Sequence, residues 1–176
     1  PKIAAEYLNS LIKNNIKIDA VFTQSPKKQL RGMKLTKSYV HILANEKKIE
    51  VHHPENFDNE TIIKLKKMEP DLIIVMAYGK ILPKSLLELP KYGCINIHVS
   101  ILPRWRGAAP IEHALMSGDK ETGISIIKLI EKLDAGPIIA QEKLNISSNF
   151  NKLQLSNKLT EIGTKLLINT IPFLFL

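Results

Sequence analysis

Hydrophobic and polar positions along the chain follow two periods, one typical of helices and one typical of strands. Short β-branched runs alternate with segments whose apolar residues recur every three to four positions. This alternation predicts an α/β fold with a doubly wound, mainly parallel, Rossmann-like sheet. The predicted helices are residues 3–12, 38–48, 59–68, 84–89, 111–116 and 153–174, and the predicted strands are residues 18–22, 49–52, 71–79, 94–99, 123–130 and 137–144.

The last two predicted strands are joined only by residues 131–136. A parallel crossover needs a dozen residues or more, so this short connection predicts an antiparallel hairpin. The sheet should therefore carry an antiparallel hairpin extension.

The predicted strand at residues 94–99 carries the most informative polar side chains. Side chains alternate in a strand, so Asn96 and His98 lie side by side on one face. Pro103 and Gly107 follow before the next helical pattern begins, as in a turn beyond the carboxyl end of a strand. Ligands bind at that edge in open α/β sheets, so this turn is a candidate site.

An imidazole beside an amide can move protons and polarise a carbonyl, but it needs a carboxylate to set its tautomer. We prefer Asp134 in the connection between the last two strands, because a hairpin loop could bring it to face His98. The rival carboxylates are Asp119, Glu121 and Glu131, and we expect Asp119 and Glu121 to be solvated in a polar turn. Without a carboxylate, the amide and imidazole could simply satisfy a strand end.

Composition limits the classes of function. The 176 residues contain 44% hydrophobic and 24% charged residues, as a globular protein does. A net charge of +8 favours an anionic partner such as nucleic acid, although lysine-rich helix faces could produce the same charge. The single cysteine excludes an internal disulfide and a thiolate zinc cluster, which favours a reducing, cytoplasmic setting. We expect no metal and no membrane association, because no apolar run is long enough to span a bilayer.

Residues 24–37 are polar and basic and are predicted to form a loop. Lys27, Lys28, Arg31, Lys34 and Lys37 could contact phosphates, but a solvated loop would have the same charge. His52 and His53 are adjacent, so they point to opposite faces of a strand and make a poor metal pair. We interpret both as surface residues at a strand end.

Several other functions are disfavoured by the sequence. No G-x-G-x-x-G pattern follows a strand and no P-loop is present, which disfavours nicotinamide cofactors and nucleotide triphosphate hydrolysis. A basic RNA-binding module remains an alternative, but such modules stack bases on aromatic residues. The aromatic content here is only 6%.

Taken together, several segments resemble the formyltransferases that use 10-formyltetrahydrofolate. They are Asn96 to His98, residues 100–111, Thr122-Gly123 and residues 133–136. The run from Pro103 to Ile111 is most similar to the branch of that family that formylates initiator methionyl-tRNA for translation initiation. The resemblance covers nearly the whole chain and implies a formyltransferase fold.

The resemblance also implies roles for individual residues. Asn96, His98 and Asp134 match the catalytic residues of the family, and no covalent enzyme intermediate is required. The matched folate-binding residues are Ile81, Leu82, Ser100, Ile101, Leu102 and Pro103. The expected transfer-RNA contacts are Arg31, Lys34, Arg104 and Arg106, although Arg104 and Arg106 could instead form structural ion pairs.

In domain terms, residues 1–176 are expected to be a monomeric formyltransferase catalytic domain. Relatives begin with a strand ahead of the first helix and end with a small β-barrel, and we expect both to be absent from this chain. A sister enzyme acting on an amino sugar nucleotide or glycinamide ribonucleotide would share the three catalytic residues. The basic segment at residues 24–37 favours the transfer-RNA branch.

Overall fold

Helices and strands alternate along the chain, as their hydrophobic periods predict. A computed structural model describes residues 1–29 and 34–176, which form two compact units, Pro1–Pro70 and Asp71–Leu176. The helices are α1 (Lys2–Lys13), α2 (Tyr39–Glu46), α3 (Asn59–Lys67), α4 (Lys84–Leu87), α5 (Pro110–Met116) and α6 (Lys152–Leu174). The strands are β1 (Ala20–Phe22), β2 (Lys27–Gln29), β3 (Lys34–Thr36), β4 (Glu50–His52), β5 (Ile73–Val75), β6 (Cys94–His98), β7 (Glu121–Lys128) and β8 (Ile138–Asn145).

The amino-terminal unit, Pro1–Pro70, is built on a parallel strand pair. Val21 of β1 lies opposite Val51 of β4, and Leu8 of α1 and Ala44 of α2 pack with Val21 in a buried cluster. Helix α2 begins at Ser38, whose side chain accepts a hydrogen bond from the His41 amide. Such a cap satisfies one of the free amides at a helix start, so Ser38 sets where α2 begins.

The basic segment at residues 24–37 differs from its prediction as a loop. Strands β2 and β3 pair in antiparallel register, with Lys27 opposite Thr36 and Gln29 opposite Lys34. Neither strand shows an apolar alternation, so the period that reveals a half-buried strand is missing from this hairpin. Lys34 opens β3, whereas the expected phosphate contact Arg31 lies outside the described residues.

The carboxyl-terminal unit, Asp71–Leu176, contains a sheet with strand order β5-β6-β7-β8. The pair β5 and β6 is parallel, while β6 to β7 and β7 to β8 are antiparallel. The predicted α/β class and its antiparallel hairpin extension are therefore confirmed. Strand β5 is shorter than predicted and is followed by a left-handed residue, Ala77, with φ of 47°.

Helix α6 covers β7 and β8 with a row of leucines. Leu155, Leu159 and Leu167 are completely buried. Burying such side chains contributes about 1.5–3 kcal/mol each. The helix begins at Asn151 with reciprocal bonds between Asn151 and Gln154, and it continues past Pro172 to Leu174. No helix in the described ranges has the length and apolar character needed to cross a membrane.

Three histidines of the amino-terminal unit are buried or half-buried. His52 lies at the end of β4, as predicted, but its side chain is 12% exposed, so it is half-buried rather than a surface residue. His41 is 8% exposed, and its ring lies 4.7 Å from that of His53. Burial, followed by the charge of Lys37, lowers the pKa of His41, and burial likewise lowers the pKa of His52. Both imidazoles are therefore stabilised in their neutral forms.

We expect acid to destabilise the amino-terminal unit through these histidines. In the unfolded chain His41 has its ordinary pKa of 6.5, above its pKa in the fold. The unfolded state therefore binds more protons, and the stabilisation present above that pH is lost as the pH falls below it. Urea unfolding at about pH 7.5 and about pH 5.5 should show this loss, with a shallower dependence in His41→Leu. An unchanged dependence in the variant would contradict the assignment.

Candidate active site

Strand β6 brings an amide and an imidazole to one face of the carboxyl-terminal sheet. Its residues Ile95 and Ile97 are buried in the core, so the intervening side chains of Asn96 and His98 point to the other face. His98 is 6% exposed, whereas Asn96 is only partly buried. The predicted pairing of the two side chains is present.

Asp134 lies in the connection between β7 and β8 and reaches both groups. Asn96 Nδ2 donates to Asp134 Oδ1 at 3.2 Å, and His98 Nδ1 lies 3.5 Å from Asp134 Oδ2. The Gly107 amide also donates to Asp134 Oδ2 at 2.8 Å. Asp134 is 5% exposed, and a carboxylate is stable at such a buried position only when it is hydrogen-bonded or paired.

Left-handed backbone conformations in the turn and in the connection position the partners of His98. Asp134 has φ of 44° and Trp105 has φ of 57°, in a region that side-chain-bearing residues adopt at a cost on the order of 1–3 kcal/mol. Gly107 has φ of 84°, which a glycine adopts freely. A Cβ on Gly136 would lie 1.7 Å from the Lys128 carbonyl oxygen, so only glycine lets the Asp134 connection lie this close to β7.

One hydrogen bond and one contact with a carboxylate surround the two ring nitrogens of His98. Nε2 lies 2.7 Å from the Trp105 carbonyl oxygen, which can only accept, so Nε2 carries a hydrogen. Nδ1 faces the Asp134 carboxylate, so a second proton held there would lie between the ring and Oδ2. The two contacts together fix the orientation of the ring.

The turn after β6 is supported from below by two polar side chains. Ser125 Oγ donates to the Ser100 carbonyl at 2.7 Å and accepts from the Leu102 amide at 3.0 Å. Gln141 Nε2 donates to the Leu102 carbonyl at 3.0 Å and to Ser125 Oγ at 2.8 Å. Ser100 Oγ in turn donates to the Arg104 carbonyl at 2.6 Å. Hydrogen bonds therefore hold the turn at residues 100–104, close to His98.

Asp119, expected to be solvated, forms an ion pair instead. Arg104 donates from Nε and Nη2 to its two carboxylate oxygens at 2.8 and 2.7 Å, and Trp105 Nε1 donates at 2.7 Å. Arg104 thus has the structural ion pair that we considered as an alternative to a transfer-RNA contact. Arg106 is exposed on the same turn.

The expected folate-binding residues have contrasting environments. Ile81 is 85% exposed and Pro103 is exposed, so both can meet a ligand, while Ile101 is half-buried. Leu82 is 9% exposed, Leu102 is 5% exposed and Ser100 is fully buried. The last three can support such a site, and Ser100 already donates its hydroxyl to the turn. Val75 pairs with Asn96, so the segment carrying Ile81 leaves the sheet beside the amide.

The other reactive side chains have environments that differ from that of Asp134. Burial raises the pKa of the Cys94 thiol to about 12, which keeps it protonated and unreactive. Within residues 1–29 and 34–176, no group of three or more metal-ligating side chains is close enough to hold a metal ion. Glu121 pairs with Lys143 at the surface, and Glu131 is exposed. Of the four candidate carboxylates, Asp134 is therefore the one best placed to serve His98.

Comparison with known proteins identifies the family. The profile described as formyl transferase matches residues 1–171, almost the whole chain. The chain belongs to the formyl transferase family. The resemblance noted in the sequence is therefore confirmed.

Curated relatives in this family are similar over nearly the full chain. A methionyl-tRNA formyltransferase of Wolbachia sp. subsp. Drosophila simulans is 48% identical over 173 residues, which cover 97% of this chain and 58% of the relative. Relatives of the same name from Prochlorococcus marinus and Rickettsia prowazekii are 46% and 44% identical, covering 99% and 97% of this chain and 54% and 56% of theirs. The chain thus spans little more than half of these relatives.

Solved structures of the family share the fold. A phosphoribosylglycinamide formyltransferase from Anaplasma phagocytophilum superposes with a TM-score of 0.80 at 22% identity, covering 96% of this chain and 80% of that one. A formyltetrahydrofolate deformylase from Pseudomonas syringae gives 0.73 at 22% identity, covering 97% of this chain and 56% of that one. At this identity the likeness shows the formyltransferase fold alone.

Sequence reasoning missed several residues that shape this candidate site. Ser125 is a polar residue inside an apolar strand pattern, a position where a hydroxyl must find a buried partner. That signal could have identified Ser125 as a support for the turn. The contacts of the Trp105 carbonyl and of Asp119 have no such signal. Every residue has a backbone carbonyl, and a carboxylate in a polar turn is usually solvated, so neither feature marks a partner in the sequence.

We expect Ser125→Ala to destabilise the carboxyl-terminal unit. The change leaves the buried Leu102 amide and Ser100 carbonyl without their partner. An unsatisfied buried group costs about 1–3 kcal/mol, which denaturant unfolding can measure. Ser147→Ala is the matched control, because its exposed hydroxyl bonds only Asn149 in the same loop and should cost little. Equal stability losses in the two variants would contradict the support assigned to Ser125.

Proposed function

We propose that this chain transfers a formyl group from 10-formyltetrahydrofolate to the amino group of initiator methionyl-tRNA. The observation that supports this most is the convergence of Asn96, His98 and Asp134 at the end of β6. Family membership makes formyl transfer the chemistry to explain, and the relatives cited above are named for this acceptor. In this proposal, residues 1–176 are the catalytic domain of a monomeric, cytoplasmic enzyme.

Asn96 and His98 would act on the formyl oxygen and on protons during the transfer. When the amine attacks the formyl carbon, negative charge grows on the formyl oxygen, and the folate nitrogen leaves with a proton. The second hydrogen of the Asn96 amide is suited to stabilise that oxygen, because the first is held by Asp134. Single donors of this kind are worth about 3–4 kcal/mol in other enzymes.

His98 and Asp134 would assist the transfer of a proton from the attacking amine to the leaving folate nitrogen. The carboxylate of Asp134 faces Nδ1, so it can stabilise an imidazolium while the proton is in transit. Asp134 also holds the Gly107 amide, which ties the turn to the imidazole. The residues need no covalent bond to the formyl group in this scheme.

The donor would lie against the turn and the segment that follows β5. Ile81 and Pro103 offer exposed apolar surface, and Ile101 is half-buried beside them in the chain. Leu82, Leu102 and Ser100 would support this surface from inside. Sites for flat heteroaromatic ligands are largely apolar with a few aimed polar groups, which this set matches.

The basic segment would contact the transfer RNA. It contains Lys27, Lys28, Arg31, Lys34 and Lys37, and the whole chain has a net charge of +8. Of the two arginines in the turn, Arg106 remains the better candidate for phosphate contact, because Arg104 is engaged by Asp119. A small acceptor such as an amino sugar nucleotide or glycinamide ribonucleotide would not need these charges.

The acceptor can be identified by direct competition. We expect the protein to formylate methionyl-tRNA in preference to an amino sugar nucleotide or glycinamide ribonucleotide, all supplied with 10-formyltetrahydrofolate. Arg31→Ala should raise the KM for methionyl-tRNA and lower the slope of affinity against salt by about 0.7–0.9 for one lost phosphate contact. Its KM for the folate should not change.

A matched charge removal controls for the total charge of the protein. Lys13→Ala removes an exposed positive charge at the end of α1, outside the basic segment. Its KM for methionyl-tRNA should stay close to that of the wild type. Preferred transfer to either small amine, or equal effects of the two variants, would contradict the proposed acceptor.

A further inference from the structure

Trp105 links the surface of the carboxyl-terminal unit to His98. Its carbonyl accepts the hydrogen of His98 Nε2 at 2.7 Å, so the backbone at Trp105 sets one of the two anchors of the imidazole. That backbone has φ of 57°, a conformation that a tryptophan does not favour by itself. Contacts of the side chain can therefore add to the bonds that keep the carbonyl aimed at the ring.

The Trp105 indole is held on several sides. Its Nε1 donates to Asp119 Oδ2 at 2.7 Å, the Arg104 guanidinium carbon lies 4.3 Å from the ring centroid, and the His113 ring stacks at 5.1 Å with an interplanar angle of 12°. Arg104 is itself fixed by two bonds to Asp119. The carboxylate of Asp119 thus binds two consecutive residues of the turn, Arg104 and Trp105.

Asp119 is anchored independently of the turn it holds. It follows α5, and its amide donates to the Ala114 carbonyl at 3.0 Å, while Gly118 before it has φ of 66°. Its side chain is 11% exposed, and the bonds from Arg104 and Trp105 lower its pKa to about 2. Asp119 therefore stays ionised at neutral pH and remains a strong acceptor for both donors.

We propose that Asp119 is a positioning residue of the active site, which holds the Trp105 carbonyl on His98 Nε2 through the indole and the neighbouring guanidinium. The residue does not touch the reacting groups. It acts on catalysis by fixing the orientation of the ring whose other nitrogen faces Asp134. An ion pair that only stabilised the surface would leave the imidazole unaffected when broken.

The test begins with readouts that need no substrate. Trp105 is the sole tryptophan, so intrinsic fluorescence reports on it alone. We expect Asp119→Asn to increase quenching of this fluorescence by acrylamide and to shift the imidazole ¹⁵N resonances of His98. Glu121→Gln is the matched control, since it removes a carboxylate that pairs with Lys143 at the surface near the start of β7. It should change neither signal.

A second variant keeps the test independent of folding defects in the first. Trp105→Phe removes the indole N–H donor and part of the ring surface, while keeping an aromatic ring beside Arg104 and His113. The His98 ¹⁵N resonances should shift in the same direction as in Asp119→Asn. If they match the wild type in both variants, the proposal is wrong.

The activity measurement rests on the proposed function. Asp119→Asn should lower kcat for formyl transfer on the order of ten- to a hundredfold through misplacement of His98, with the KM for folate nearly unchanged. Its pH profile should shift, whereas Glu121→Gln should retain the wild-type profile. A wild-type kcat and pH profile in Asp119→Asn would overturn the proposal. Absence of formyl transfer by the wild-type protein would instead overturn the proposed function, and the resonance measurements would still decide the role of Asp119.

Discussion

The buried carboxylate of Asp134 is the group on which the geometry of the site depends. Its two oxygens meet a side-chain amide, a backbone amide and an imidazole that belong to β6 and to the turn after it. A buried carboxylate without such partners would be strongly destabilising, so the connection carrying Asp134 and the turn carrying Gly107 stabilise each other. The contacts that stabilise the buried carboxylate also align Asn96 and His98, which are proposed to carry the chemistry.

Hydrogen bonds farther from Asp134 also support the site, and none of them involves Asn96, His98 or Asp134. Ser125 and Gln141 fix the turn from the strands beneath it, and Asp119 fixes it from the end of α5. Close backbone approach contributes as well, because Gly136 lets its connection lie against the Lys128 carbonyl. A site built in this way keeps its orientation before any ligand arrives, which is the condition for efficient electrostatic stabilisation.

Periodicity was sufficient to predict where the strands of the main sheet lie and that Asn96 and His98 share a face. Asn96 and His98 share a face because a strand has a period of two, and a short connection can only make β7 and β8 antiparallel. The hairpin of β2 and β3 could not be predicted, since Leu35 is the one apolar residue in these two short strands and no alternation is visible. The partners of Asp119 could not be predicted either, because they meet only after the turn adopts left-handed conformations at Trp105 and Ala109.

The most direct test of this account measures single-turnover formyl transfer by Asp134→Asn. The change keeps the size of the side chain but removes the charge that faces His98 Nδ1, and it places an amide donor among groups that need an acceptor. We expect the rate to fall by about two to four orders of magnitude while near-ultraviolet circular dichroism shows a folded protein. Glu131→Gln, an exposed carboxylate in the same connection, should retain the wild-type rate. A wild-type rate in folded Asp134→Asn would contradict the central role of this carboxylate.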